Sequence, residues 1–385
     1  MRTAELGLRF PPHRLPAREV PHVTVEPNKT CNIHCAACYS RDHSTVRTLA
    51  EVVADVDRAR QLRNLESVTL IGGEPTLHPE LPAMVRAIKE RGLICMLLTN
   101  GLALAQDERL IDALIAAGLD RFLLHIDAGQ AHVHGDVAAF RRAMCDRLEA
   151  RGAWFAIAVT VRSGDEAGLP ALARELARYR HFDGVLATLA FDFDSLFGGA
   201  PAFAKADGMA VHRAMLGDLR VAPTAWVPTS ADDDEVAWLM YLWYHNAATG
   251  RTFACSSQTS RAFRALYRLF AGRHFFAATT RPGLVPLWFA LQAICEVALR
   301  PWRIADALRM LRHPGQVRFL YVVVQDAPHF GADGQLRICW HCHDAVMRKG
   351  RLLPVCMADQ LDPMHGEPRA PAAVVRGVRE HLEAS

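Results

Sequence analysis

The sequence predicts an α/β fold built on a partial (β/α)6 barrel. Between residue 22 and about residue 195, short β-rich apolar runs alternate with longer segments of helical periodicity, and no internal repeat or low-complexity tract interrupts them. The candidate strands are His22–Glu26, Ser67–Ile71, Ile94–Thr99, Arg121–Ile126, Trp154–Val161 and Gly184–Phe191. Helical segments fall between them near 48–62, 79–91, 106–117, 137–151 and 168–180, where Leu and Ala recur at three- and four-residue spacing. Folds of this kind place their chemistry at the C-terminal ends of the strands, so loops directly after strands carry the functional reading.

After residue 195 the alternation stops, and a mixed, mostly helical C-terminal extension is expected. The chain divides into a lead-in (1–20), the barrel (21–200), an arginine- and aromatic-rich helical extension (201–330) and a cysteine-rich region (331–385). The acidic run Asp232-Asp233-Asp234-Glu235 reads as a solvated helix start, since carboxylates favour a helix N-terminus. Residues 260–320 hold ten arginines, no lysine and only Glu296 and Asp306 as acids, a local balance of +8, interleaved with aromatics. One reading is amphipathic helices whose aromatics pack on the barrel while the arginines face water. A second is attachment to an anionic membrane surface, which would admit a lipid substrate. Nucleic acid ranks lowest, because the long aliphatic run around 284–299 favours lipid.

The bulk composition is that of a soluble globular protein. Its 385 residues are 51% hydrophobic and 22% charged with a net charge of +3, enough for a full-sized core and too neutral to name a partner. The first residues have no apolar core of signal-peptide length, and the nearest candidate span, Leu284–Leu299, contains Pro286, Gln292 and Glu296. A cytoplasmic location is expected, with peripheral membrane attachment as the variant. Ten cysteines in a reducing compartment point to metal rather than disulfides. Cys31, Cys35 and Cys38 form one group and Cys339, Cys342 and Cys356 a second; Cys95, Cys145, Cys255 and Cys295 stand alone.

The run Cys31-Asn-Ile-His-Cys35-Ala-Ala-Cys38-Tyr39 follows the first strand directly. Three thiolates in a C-x3-C-x2-C loop can each hold one iron of a cubane and leave the fourth iron without a protein ligand. Zinc remains an alternative on spacing alone, with His34 as the local fourth donor. The second strand ends in Gly72-Gly73-Glu74-Pro75, where glycines permit close backbone approach to a ligand and a carboxylate can receive an ammonium group. The third strand ends in Thr99-Asn100-Gly101 and the fourth in His125-Ile126-Asp127.

With these four strand ends the sequence resembles the radical S-adenosylmethionine (SAM) superfamily over roughly residues 20–195. The resemblance implies a [4Fe–4S] cluster with an open iron at Cys31, Cys35 and Cys38, and SAM cleaved to a 5′-deoxyadenosyl radical that takes hydrogen from substrate. It implies Gly72, Gly73, Glu74 and Pro75 at the methionyl end of SAM, with Thr99, Asn100, His125 and Asp127 as further pocket candidates, and a reductant such as flavodoxin or ferredoxin. His125 stands where many relatives carry Ser. Ala37 lacks the aromatic often found before the third cysteine, which leaves Tyr39 to cover the cluster.

The C-x2-C-x13-C spacing of Cys339, Cys342 and Cys356 suits a zinc knuckle or an iron–sulfur site. Beside the barrel it is similar to the SPASM and twitch extensions, which implies one auxiliary [4Fe–4S] cluster with Cys255 as its fourth ligand. The leading expectation is radical chemistry on a hydrophobic or lipid-like small molecule. The alternatives are a SPASM-type peptide- or protein-modifying maturase and a non-catalytic iron–sulfur electron-transfer or binding protein.

Overall fold

A computed structural model describes residues 1–385 except 41, 194, 198–200, 231–233, 276–281, 366 and 385. The N-terminal half runs β1 (His22–Asn28), α1 (Leu49–Leu62), β2 (Ser67–Gly72), α2 (Leu81–Glu90), β3 (Ile94–Thr99), α3 (Leu102–Gln106), α4 (Arg109–Ala116), β4 (Arg121–His125), α5 (Ala131–His134), α6 (Val137–Ala150), β5 (Phe155–Val161), α7 (Leu169–Leu176) and β6 (Phe182–Leu189). All six strands pair in chain order and in parallel. The chain continues through α8 (Gly208–Ala214), β7 (Ala225–Pro228), β8 (Val236–Asn246), β9 (Arg251–Phe253), α9 (Ser257–Ala271), α10 (Val285–Leu299) and α11 (Ile304–Met310). It ends with β10 (Val317–Gln325), β11 (His329–Phe330), β12 (Leu336–Arg337), β13 (Ala345–Arg348), β14 (Arg351–Pro354), α12 (Val355–Leu361) and α13 (Ala372–Ala384).

Local sequence explains the boundaries of the first units. Thr48 and Glu51 close a reciprocal capping box that starts α1, and Asp136 accepts from the Ala139 amide to start α6. On α1 the buried residues are Val52, Val56 and Ala59, the i, i+4, i+7 stripe of a helix lying on a sheet. Val23 and Val25 of β1 belong to the same core. The alternate positions of β1 are His22, Thr24, Glu26 and Asn28, all buried, so the inward face of this strand is polar.

The sheet does not stop at six strands. β10 pairs with β6 in parallel, β8 with β10 antiparallel, and β7 and β9 with β8, so residues expected within the helical extension complete the sheet. The reason lies in local composition. VRFLYVVVQ and VAWLMYLWYHN are rich in β-branched and aromatic residues, which fit a pleated, buried surface. The acidic run does not start a helix either: Glu235 forms an isolated bridge to Arg2 and leads straight into β8, where it binds His329 and Arg337. Asp232 and Asp233 lie outside the described residues.

The remaining gap, between β7 and β1, is closed by the C-terminal segment. Cys339 bridges to Thr229 beyond β7, and the Thr24 hydroxyl of β1 donates to the Ala345 carbonyl of β13 at 3.2 Å. The loop after β1 is held against β2 by equally close contact, with the Gly73 amide donating to Asn28 O and the Glu74 amide to Thr30 O. A Cβ added at Gly73 would lie 2.1 Å from Thr30 O and 2.3 Å from Lys29 O. Gly73→Ala is therefore expected to cost at least about 2–3 kcal/mol by overpacking. Gly168→Ala, where nothing lies within 4 Å, should change stability by under about 0.5 kcal/mol. Urea unfolding of the two variants measures the contrast, and equal stability would refute the packing account.

Candidate active site

A cavity of about 250 Å³ opens at the C-terminal ends of the parallel strands. Its wall takes Gly72 and Gly73 from the end of β2, Thr99 from β3, His125 from β4, Thr160 from β5 and Thr188 from β6. Cys31, Cys35 and Cys38 line it from the loop after β1, and Cys339, Cys342 and Cys356 line it from the closing segment. The fold thus turns two cysteine groups some 300 residues apart toward one space.

The residues named from the strand ends are joined by hydrogen bonds. Glu74 is 1% exposed. Its Oε1 accepts from the amide and hydroxyl of Thr76 and from the Thr99 hydroxyl at 2.7 Å, while Oε2 accepts from the Asn100 amide at 2.7 Å. Burial pushes its carboxyl up, against the pull of these donors. Each carboxylate oxygen offers about two acceptor positions, and among the described residues Oε2 accepts from the Asn100 amide alone, so it keeps capacity for one further donor. Asn100 donates to Asn32 Oδ1 at 2.7 Å, which fixes the cysteine loop to the end of β3. Pro75 is buried at the start of the short turn that Glu74 caps.

At the end of β4, His125 Nε2 lies 2.9 Å from Asp127 Oδ2 and 3.2 Å from the Thr160 hydroxyl. Burial raises the Asp127 carboxyl, but His125 and the amides of Thr160 and Gly129 outweigh it and hold it at about 2. His125 is thereby oriented toward β5. Gln130 Nε2 approaches Cys35 Sγ at 3.8 Å. Burial pushes the Cys31 thiol up and the Cys35 thiol to about 11.

The glycines at the end of β2 also approach the protein's own backbone closely. Cβ atoms at Gly72 and Gly73 would collide with the backbone of Asn28, Lys29 and Thr30. Their smallness lets the cysteine loop pack on β2, and both glycines also line the cavity.

The second group is equally close-set. Cys342 is raised by its hydrogen bond to Cys339 and by burial, and burial also raises Cys356. The Trp238 indole donates to Cys339 Sγ at 3.0 Å. Asp344 accepts from Gln325 Nε2 at 2.8 Å and lines the same cavity. Cys255 is elsewhere, which corrects the expectation that it supplies a fourth ligand. It packs with Phe253, Phe263 and Phe289 and lines a separate pocket beside Tyr244. Trp238 and Tyr244 are six residues apart on β8, about 20 Å at ~3.3 Å per residue, so Cys255 and Cys339 lie at opposite ends of the strand.

Sequence reasoning missed the charges that carry the two cysteine groups. Lys29 Nζ lies 2.7 Å from Glu26 Oε1 and 2.9 Å from both oxygens of Asp359. Arg348 binds Glu26 and Asp359. All four side chains are buried. The available signal was a Glu and a Lys three residues apart at the end of the first strand. Arg162, on the cavity wall after β5, was also missed; the strand-end rule alone would have marked it.

The family model described as the radical SAM superfamily matches residues 25–182. That segment is a radical SAM domain. A GTP 3′,8-cyclase of Chlorobaculum tepidum is 33% identical over 115 residues, 29% of this chain and 34% of that protein. An AdoMet-dependent heme synthase of Methanosarcina barkeri is 30% identical over 122 residues, 30% of this chain and 34% of that protein. SuiB of Streptococcus suis, solved bound to S-adenosylmethionine, aligns with a TM-score of 0.41 at 16% identity, covering 52% of this chain and 46% of that one. The chain spans about a third of the length of the curated relatives it matches.

A radical SAM domain implies a [4Fe–4S] cluster and SAM. Among the described residues no three Cys, His, Asp or Glu side chains converge on one point as ligands of a single ion would, so the fit is judged on donor chemistry. Three soft thiol donors face the cavity, and His34, the fourth donor that the spacing offered a zinc site, is exposed and off the cavity wall, while its neighbour His43 lines it. This set suits a cluster that takes three protein thiolates. Breaking the charge network should loosen the loop that bears them. Lys29→Met leaves Glu26 and Asp359 buried with one cation fewer and is expected to cost about 3–5 kcal/mol. Urea unfolding measures this, and a loss under about 1 kcal/mol would refute the network's structural weight.

Proposed function

We propose that the chain is a radical SAM enzyme whose substrate is held between two iron–sulfur sites. The observation that carries this reading is the single cavity lined by both Cys31, Cys35 and Cys38 and Cys339, Cys342 and Cys356. When bound, the cluster and SAM supply reductive cleavage of SAM to a 5′-deoxyadenosyl radical able to take hydrogen from substrate, the electron coming from a flavodoxin or ferredoxin.

This chain's residues have separable tasks around that chemistry. Cys31, Cys35 and Cys38 hold the cluster, and Lys29, Asn32 and Asn100 hold their loop. Glu74 Oε2 is placed to accept from the methionyl ammonium of SAM. Asp127 fixes His125 on the pocket wall, and Tyr39 packs beside the third cysteine. The cavity's apolar wall, with Leu189, Phe191, Phe193 and Trp238, excludes water and favours a largely hydrophobic small molecule, while Arg162, Thr188 and Gln325 offer a few polar contacts. Cys339, Cys342 and Cys356 hold one auxiliary cluster. With Cys255 at the far end of β8, its fourth position is left to a group in the cavity, and Asp344 is the carboxylate nearest in sequence to these thiols. The matched relatives are named for different reactions, and each match spans only about a third of the chain or less, so they do not select a substrate.

Anaerobically reduced protein incubated with SAM is expected to form 5′-deoxyadenosine, and replacing Cys31, Cys35 and Cys38 together by Ala should abolish it. An intact cluster without that product would leave an electron-transfer or binding protein instead. The same triple variant should retain about four irons per chain, one remaining cubane. Bound zinc with no iron would overturn the auxiliary cluster.

A further inference from the structure

We propose that a face formed by α9, α10 and α11 seats this protein on an anionic membrane surface. The inference goes beyond the radical SAM reading and does not depend on it. α9 buries Thr259, Ser260 and Phe263 and turns Leu266, Leu269 and Phe270 outward, Leu269 74% and Phe270 84% exposed. α10 is apolar on both sides. Val285, Trp288, Phe289 and Ala293 are buried, while Leu287, Leu291 and Ile294 face outward at three- and four-residue spacing, Ile294 67% exposed. α11 repeats the arrangement with Ile304, Leu308 and Leu311 outward over buried Ala307 and Met310, and Trp302 beside it is 75% exposed.

α10 packs against both α9 and α11, so the three stripes adjoin. Together they cluster large exposed apolar side chains on one face, where surface hydrophobics of a typical monomer are scattered singly.

The charge around the stripes selects the occupant. Arg261, Arg268, Arg309 and Arg312 are exposed on the same helices or directly after them; Arg268 and Arg309 are paired with Glu19 and Asp306, so Arg261 and Arg312 supply the excess positive charge. Carboxylates in reach are already engaged: Glu296 is buried under the Ser256 and Thr259 hydroxyls, Asp306 binds Arg309, Glu19 binds Arg268 and His274, and Glu66 binds Arg273. An apolar face rimmed by arginines, whose stems lie along apolar surface while their heads reach out, complements a lipid interface with anionic headgroups. A second copy of the chain would bring arginines against arginines.

The position of the face sets the orientation. Glu19 and Glu66 directly precede β1 and β2, and Val317 and Phe319 open β10, so the three helices cover the N-terminal ends of the parallel strands. The cavity opens at the other ends and would point away from the membrane.

Flotation of the iron-loaded full chain with phosphatidylcholine vesicles containing about 30% phosphatidylglycerol is expected to carry the protein upward. Pure phosphatidylcholine should bind about tenfold less, and about 0.5 M salt should weaken the anionic binding. The triple variant Leu269→Ser, Phe270→Ser, Trp302→Ser alters side chains that point to solvent. It should lose binding about tenfold or more while keeping its melting temperature, iron content and 5′-deoxyadenosine formation. Three outcomes overturn the proposal: no flotation with either vesicle, equal binding to neutral and anionic vesicles, or unchanged flotation of the variant. A lipid-free dimer that the variant dissolves, without vesicle binding, would assign the face to a second copy instead.

Discussion

Four buried charges hold this molecule's two cysteine groups in one frame. Glu26 and Lys29 stand at the root of the first cysteine loop, Arg348 on β13, and Asp359 on α12, the helix that also carries Cys356. Taking these groups out of water carries a large desolvation cost, which their mutual attraction offsets only with close, multiple contacts. Two anions and two cations at hydrogen-bond distance meet that condition. The arrangement has little freedom to slide, because displacing any one member leaves another unpaired in a dry interior. A hydrophobic contact in the same place would be non-directional and would fix the two segments less sharply.

The two ends of the barrel are given different work. At the C-terminal ends, Glu74, Asn100 and Asp127 tie loops to strands through carboxylate and amide bonds, and the walls converge on a cavity. At the N-terminal ends the chain spends its arginines and aromatics. The described residues of 260–320, which suggested a lipid substrate, therefore do not line the cavity, whereas Phe191, Phe193 and Trp238 do.

The sequence made the first six strands legible because they are short β-rich runs spaced by helical segments, and β2, β3 and β4 are followed closely by Gly73, Asn100 and Asp127, around which the site forms. Gly72 to Glu74, Thr99, Asn100, His125 and Asp127 were visible for that reason. β8 and β10 were not, because the acidic run before β8 resembles a helix start and β10 follows three helices without a preceding βα rhythm. The fourth-ligand reading of Cys255 rested on chain order, and only the length of β8 separates it from Cys339. The Lys29–Asp359 pair spans 330 positions, and no local pattern announces a partner so remote.

The seventh parallel strand has a consequence for how the chain is made. β6 ends at residue 189 and β10 begins at residue 317, and the wall that closes the barrel against β1 comes later still. During synthesis from the N-terminus, the first cysteine loop is complete long before its cover exists, and the polar inward face of β1 waits for partners from the last tenth of the chain. Assembly thus has an order: an open half-barrel with its thiols accessible comes first, and a closed chamber comes only when residues 345–359 arrive to neutralise Glu26 and Lys29.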